Sequence, residues 1–160
     1  MSPFNSDSFW QFSLEFYSPE PIKQACLTLQ DNFDFNVNLI LLCCWLDSLR
    51  VKLSAEQLHQ LKGVIKNSDV ELKQHRKLRA ANKNQQDRYA ALLQQELALE
   101  QAQQSILVST LNSMKVVHVS TDNQKPNASL FENTQLCFSG VGAEANKYLS
   151  VFKQYIYKNN

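Results

Sequence analysis

The ten residues at 37–46, VNLILLCCWL, constrain this chain more than any other stretch. From Leu39 to Leu46 every position is apolar, so a helix here has no face to offer water. A helix apolar all round is one surrounded by other elements. A membrane-spanning helix needs about 20 predominantly apolar residues. This run has ten, includes Asn38 and is followed by Asp47 and Arg50. It is therefore expected to be the central helix of a soluble bundle, with Asn36 as its cap.

The rest of the chain has the composition to surround it with helices. Leu, Gln, Ala and Lys are plentiful, and all favour helix. Three Gly and four Pro in 160 residues disfavour a sandwich or barrel of many tight turns. In SFWQFSLEFY, Ser8 and Gln11 have the spacing of a capping box. Phe9, Phe12 and Phe16 share one face there, which Trp10, Leu14 and Tyr17 broaden. Ser18 ends that helix, because the residue before a proline is driven out of the helical region. Pro21 suits the first turn of the next one. Its stripe is Ile22, Ala25, Cys26 and Leu29. Ser54 and Gln57 form a second capping box, with Leu53 and Leu58 as the hydrophobic staple. Leu58, Leu61 and Ile65 follow as its buried stripe, and KNSD at 66–69 is expected to end it.

From Asp69 to about Asn112 there is neither Pro nor Gly. This is one very long helix or two, with a break expected near 82–86. Its second half spaces Leu93, Leu97, Leu107, Leu111 and Met114 in a heptad-like way. Glu100 and Gln104 interrupt the pattern, so no sustained coiled coil is expected. MKVVHVS and LCFSG are strand-like and flank the polar TDNQKPNASLFENTQ, which predicts a short hairpin or a long loop. The last segment predicts an amphipathic helix with Ala145, Tyr148, Leu149, Phe152, Tyr155 and Ile156 on one side. The fold class is thus all-α, an irregular helical bundle with an apolar central helix, one long helical region and a C-terminal amphipathic helix. Residues 1–115 form the helical domain. Residues 116–160 add a loop or short hairpin and the terminal helix, packed on the same domain. A chain of this size buries roughly 70% of its unfolded surface, enough for a core without metal or disulfide support.

Most chemistry is excluded rather than suggested. Sixteen Lys plus Arg stand against 15 Asp plus Glu, so no global field draws the chain towards nucleic acid, membrane or acidic ligands. The start, MSPFNSDSFW, lacks the basic and apolar regions of a secretory signal. A cytoplasmic location is expected, in which Asn127-Ala128-Ser129 has no meaning as a glycosylation acceptor. Cys43 and Cys44 point about 100° apart on a helix and cannot both reach one metal. No C-x-x-C spacing exists. With Cys26, they are read as small buried hydrophobes, which leaves Cys137 as the thiol expected to be exposed. His59, His75 and His118 make no H-x-x-x-H or H-E-x-x-H spacing. No glycine-rich phosphate loop and no G-x-S-x-G is present. No catalytic residue, metal ligand or cofactor is assigned.

Three features carry what functional signal there is. Lys73, Arg76, Lys77, Arg79, Lys83 and Arg88 stand close together against Asp87 alone, with Leu78 the only large aliphatic among them. Arg76, Arg79 and Lys83 align at i, i+3 and i+7 on one face. This segment is expected to be exposed and to meet an anion, with Arg76, Lys77, Arg79 and Lys83 as candidate partner-binding residues. An acidic protein surface comes first and nucleic acid second, because only Tyr89 is near enough to stack on a base. Asp31 and Asp34 mark a polar corner, QDNFDFN, where the acid–base pair of a small enzyme would sit. The first helix holds more rings than one stripe needs. That fits burial on two sides, or a groove for an apolar ligand or partner helix. The leading expectation is a non-enzymatic binding or regulatory module that contacts protein partners and no membrane.

FWQFSLEFY, ACLTLQD and VNLILLCCWL, in that order, resemble a family of small, uncharacterised bacterial proteins described as a conserved domain of unknown function. The resemblance covers roughly residues 8–112, including the basic segment and the Leu/Ala/Glu-rich helix after it. It implies a cytoplasmic, mostly helical domain and supplies no activity, cofactor or catalytic residue. The segment after about Val116 looks like an addition to that pattern.

Overall fold

Asn36 starts the helix against which α1, α2, α6, α7 and α9, with the ranges given below, all lie. Its side chain accepts from Leu39 N at 2.9 Å, the N-cap bond that satisfies an otherwise orphaned donor. Helix α3 (Val37–Ser48) is then buried from Asn38 through Asp47. The structure is a computed structural model that describes residues 3–119 and 132–158. Over those residues the chain is a predominantly helical bundle, as the composition requires.

Helices α1 (Ser6–Tyr17) and α2 (Glu20–Phe33) lie against α3. The cap of α1 is Asn5, which accepts from Ser8 N at 3.1 Å. The helix thus starts earlier than a Ser8–Gln11 box would place it, because Asn5 is as good an N-cap as Ser8 and comes first. Phe9 and Phe16 face the core; Ser13, not Phe12, is the third buried residue of that face. At the end of α2, Asp34 takes a left-handed conformation, φ 59°. That turn lets Phe35 N reach Leu29 O at 3.1 Å, the bond that closes a Schellman motif.

After α3, Arg50 at φ 58° turns the chain into a two-residue strand, β1 (Val51–Lys52). Ser54 and Gln57 make the expected capping box and open α4 (Ala55–Val64). KNSD does not end that helix. It opens α5 (Lys66–Ala81), which runs back against α6 (Gln86–Asn112). The long helical region is therefore a hairpin of two helices, broken where the break was expected. In α6 the buried positions are Leu92, Glu96, Gln103, Gln104, Leu107, Val108 and Leu111. Leu93 and Leu97, part of the heptad-like series, face outward at 38% and 42% exposure.

The strand-like MKVVHVS does pair, but not with LCFSG. Strand β2 (Val117–His118) is antiparallel to β1, Val51 opposite His118. LCFSG contributes instead to the end of α7 (Glu132–Cys137) and the turn at Gly140, φ 82°. Most of the expected polar loop, with Asn127, lies outside the described residues. The terminal segment is two helices, α8 (Ala143–Asn146) and α9 (Leu149–Lys158), rather than one. Phe152 and Ile156 of α9 and Ala145 of α8 join the same buried cluster as α3. Cys137, expected to be exposed, is 3% exposed within it.

The two ends of α3 carry its polar groups, and each is a socket. At the C-terminal end Asp47, 2% exposed, accepts from Asn133 N and Thr134 N, both at 2.9 Å, and from the Thr134 hydroxyl. Asn133 also accepts from Leu53 N at 2.8 Å and donates to Val51 O. One buried carboxylate thus caps α7 and, through Asn133, fixes β1. Burial pushes the Asp47 carboxyl up to about 7 against the pull of its three donors. The folded state then holds the proton more tightly than the unfolded chain does, whose Asp value is about 3.9. Stability is expected to fall as pH rises from about 4 to 7, by roughly 4 kcal/mol, and to level off above. Urea unfolding across that range measures it, and Asp47→Asn should flatten the slope. Near the same end of α3, Trp45 stacks on Phe9 (centroids 5.0 Å apart, 14° between planes) and meets the edge of Phe4. Trp45→Ala should cost about 3–5 kcal/mol in the same assay.

Candidate functional site

Helix α1 has a second apolar stripe. Trp10, Leu14 and Tyr17 stand at i, i+4 and i+7, turned away from Phe9 and Phe16. On α6, Leu93 and Leu97 continue through Glu100 to Gln104 at the same spacing, and Lys23, Leu27 and Gln30 do so on α2. These three stripes, with Val37, Asn38 and Leu41 of α3 and Arg76 and Arg79 of α5, line one groove of about 470 Å³. Leu14, Leu27, Leu93 and Leu97 remain 36–49% exposed around it. The size and the mostly apolar lining with a few convergent polar groups are those of a binding site.

One end of the groove is charged. Arg76 Nε lies 3.5 Å from Glu96 and its Nη2 3.5 Å from Glu100. Arg79 binds Glu96 and donates to the Tyr89 hydroxyl at 3.1 Å, its guanidinium over that ring. The side chains are 11–29% exposed, so solvent screens them only in part. Burial raises the Glu100 carboxyl above its ordinary range, with Arg76 opposing. Burial and the neighbouring Cys26 and Glu100 push the Tyr17 hydroxyl up to about 12, so it stays a neutral donor.

The floor is a buried amide network. Asn38 Nδ2 donates to Glu100 O at 3.3 Å and to Gln103 Oε1 at 2.9 Å. Its Oδ1 accepts from Gln104 Nε2 at 3.0 Å, and Gln104 Nε2 also donates to Ser13 Oγ at 2.9 Å. Both amide hydrogens of Gln104 are thereby used, and its buried Oε1 has no hydrogen-bond partner among the described residues.

The candidate residues from the sequence divide here. Arg76 and Arg79 belong to the groove and are half-buried, contrary to the expectation of an exposed row. The anion they meet is on their own chain, brought alongside by the α5–α6 hairpin. Lys77 and Lys83 are exposed and do not line the groove. Asp31 is exposed, and Asp34 pairs with Lys73, which also reaches Asp69 at 3.1 Å. His75 meets Leu92 O at 2.7 Å, while His59 and His118 are exposed. Among the described residues no group of three or more His, Cys, Asp or Glu side chains is placed to hold a metal ion. No helix among them is long and apolar enough to cross a membrane.

A family model, DUF2390, described as a protein of unknown function, matches residues 8–107, well over half of the chain. The chain belongs to this family. No curated protein and no solved structure matches it. In this DUF2390 chain every residue lining the groove, from Trp10 to Gln104, lies inside the matched segment. Leu14, Leu27 and Glu96 were not singled out for this site from sequence. The only signal was the surplus of rings on α1, since the helices that meet there are far apart in the chain.

The Arg79–Glu96 pair should contribute to stability because neither side chain is fully solvated. Glu96→Gln leaves two guanidiniums without their shared carboxylate and should cost about 2 kcal/mol, below the range for a fully buried pair. A double-mutant cycle with Arg79→Gln should show coupling of about 1 kcal/mol or more. Coupling near zero would mean that the pair is screened.

Proposed function

We propose that this chain is a non-enzymatic binding module of the cytoplasm whose groove receives an apolar helical segment of a protein partner. The observation that carries the reading is the set of four leucines, Leu14, Leu27, Leu93 and Leu97, left exposed around a single groove. Contiguous exposed apolar surface with polar residues at its margin marks interaction sites. Laying the apolar face of a helix into such a groove, with anchors at i, i+3/i+4 and i+7, is a recurrent mode of recognition. Lys77 and Lys83, exposed on and just beyond α5, favour a partner with acidic residues flanking that face. The cytoplasmic part of the reading rests on cysteines that are free and a charge near balance. Nucleic acid is the weaker alternative, because two of the three arginines of the basic segment, Arg76 and Arg79, are already engaged by Glu96 and Glu100.

Leu93→Glu and Leu97→Glu should leave folding nearly unchanged, as exposed substitutions usually do within about 0.5 kcal/mol. Each should abolish capture of specific proteins from a cell lysate. Leu78→Glu, equally exposed at 43% but outside the groove, should not. Reversing Lys77 and Lys83 to Glu should weaken capture and reduce its salt dependence. Equal capture by the groove variants and the Leu78 control would refute the reading, and a salt-sensitive band shift with RNA or DNA would replace it with the alternative.

A further inference from the structure

A second cavity, of about 320 Å³, shares no lining residue with the groove. Three parts of the chain enclose it: the α2–α3 corner, the joint between α4 and α5, and the end of α7 with the turn after it. Its depth is apolar. Leu39 and Ile65 are buried there, and the half-buried Phe33, Phe35 and Val141 extend the same wall. Phe35 is held from behind by Phe138, the ring centroids 5.0 Å apart.

The polar groups of the cavity divide into committed and free. Asn36 Nδ2 donates to Asp69 Oδ1 at 2.9 Å, and Lys73 binds Asp69 Oδ2 at 3.1 Å, so both oxygens of that carboxylate are used. Lys73 pairs with Asp34 as well. By contrast, the side chains of Lys62, Lys66 and Ser139 make no ion pair or hydrogen bond among the described residues, and all three are exposed. Three lysines stand here against two aspartates, which leaves one positive charge over. Its carriers are donors at the mouth of an apolar pocket.

We infer that this cavity binds a small monocarboxylate with an aromatic or branched apolar body. Lys62, Lys66 and Ser139 hold the carboxylate, and the body rests against Phe35, Leu39 and Ile65. Size, charge and polarity each fix part of that class. The volume is near the lower end for small-molecule sites and equals the liquid share of about ten waters, so it suits a ligand of about ten non-hydrogen atoms. Uncommitted ammonium groups select an anion, because hydrogen bonds to a charged partner are about twice as strong as neutral ones. A monoanion matches the single surplus charge, whereas a dianion also meets the carboxylates of Asp34 and Asp69. The buried apolar wall gains only from a ligand that brings apolar surface to it.

The test is a titration of the full chain with 3-phenylpropanoate, followed by calorimetry and amide NMR. Binding should saturate at millimolar concentrations or below, with shifts mapping to residues 33–36, 62–69 and 139–141. The neutral 3-phenylpropanamide, of the same shape, should bind several-fold more weakly, and so should phenyl phosphate as its dianion at pH 8. Lys62 and Lys66 are exposed, so Lys62→Gln and Lys66→Gln should fold normally. Each should weaken binding roughly twofold to fivefold, the worth of an exposed ion pair, and the double variant about tenfold. Lys115→Gln, outside the cavity, should bind as the unaltered chain does. Absence of saturation, shifts confined to the groove, or unchanged affinity in the double variant would overturn the inference. So would an amide or a phosphate that binds as tightly as the carboxylate.

Discussion

A central helix without a polar face obliges its neighbours to supply every contact it makes, and the rest of the molecule follows from that obligation. Helices α1, α2, α6, α7 and α9 all lie against α3. Apolar contact alone says little about which neighbour goes where, because one greasy face fits another. The two polar residues of α3 supply the missing specificity. Asn38 near its start accepts and donates only if Gln103, Gln104 and the Glu100 carbonyl of α6 arrive in register. Asp47 near its end is satisfied only by the first turn of α7. A buried polar group left unpaired costs about twice what a paired one contributes, so each socket rejects misplaced helices more strongly than it attracts the right one.

The α5–α6 hairpin shows the same logic with less apolar surface. Leu72 and Leu92 are its buried leucines outside the main cluster. Beyond them the two helices meet through His75 with the Leu92 carbonyl and through Arg76 and Arg79 with Glu96 and Glu100. The hairpin meets α1 through α6, where Gln104 bonds Ser13, and its Arg76 and Arg79 face Trp10, Leu14 and Tyr17 of α1 across the same lining. The space between them is the groove. Its leucines are what remains of three helices, α1, α2 and α6, whose other faces are already committed to the core.

Local signals in the sequence were read well where the physics is local. The caps at Asn36 and Ser54, the break after Ala81 and the burial of 39–46 each depend on residues within a few positions. What was misread depends on residues that the fold brings together. Arg76 and Arg79 look like a solvated basic row until Glu96, seventeen residues after Arg79, returns alongside on the antiparallel helix. Cys137 looks exposed until the Asp47 socket lays α7 against α3 and buries it. Two-residue strands are too short to leave a pattern, and β1 pairs with β2 across more than 60 residues. The Leu93–Leu97 spacing is helical as read, yet Leu107 and Leu111 of the same series are buried while Leu93 and Leu97 face outward. Periodicity identifies a stripe and does not say what covers it.

Gln104 joins these strands of argument. In the sequence it only interrupted a heptad-like run; in the fold it is 1% exposed and bonded to both α1 and α3. Its orientation is not free. Asn38 must direct its amide hydrogens at the Glu100 carbonyl, which makes Asn38 Oδ1 an acceptor, which in turn requires Gln104 to donate. The acceptor left over is Gln104 Oε1, and an unpaired buried acceptor costs about 1–3 kcal/mol. A leucine at this position would avoid that cost but would also unfasten α6 from Ser13 and Asn38. Departures of this kind from local consistency are expected where a surface serves binding rather than stability. This one lies in the lining of the groove that the leucines surround.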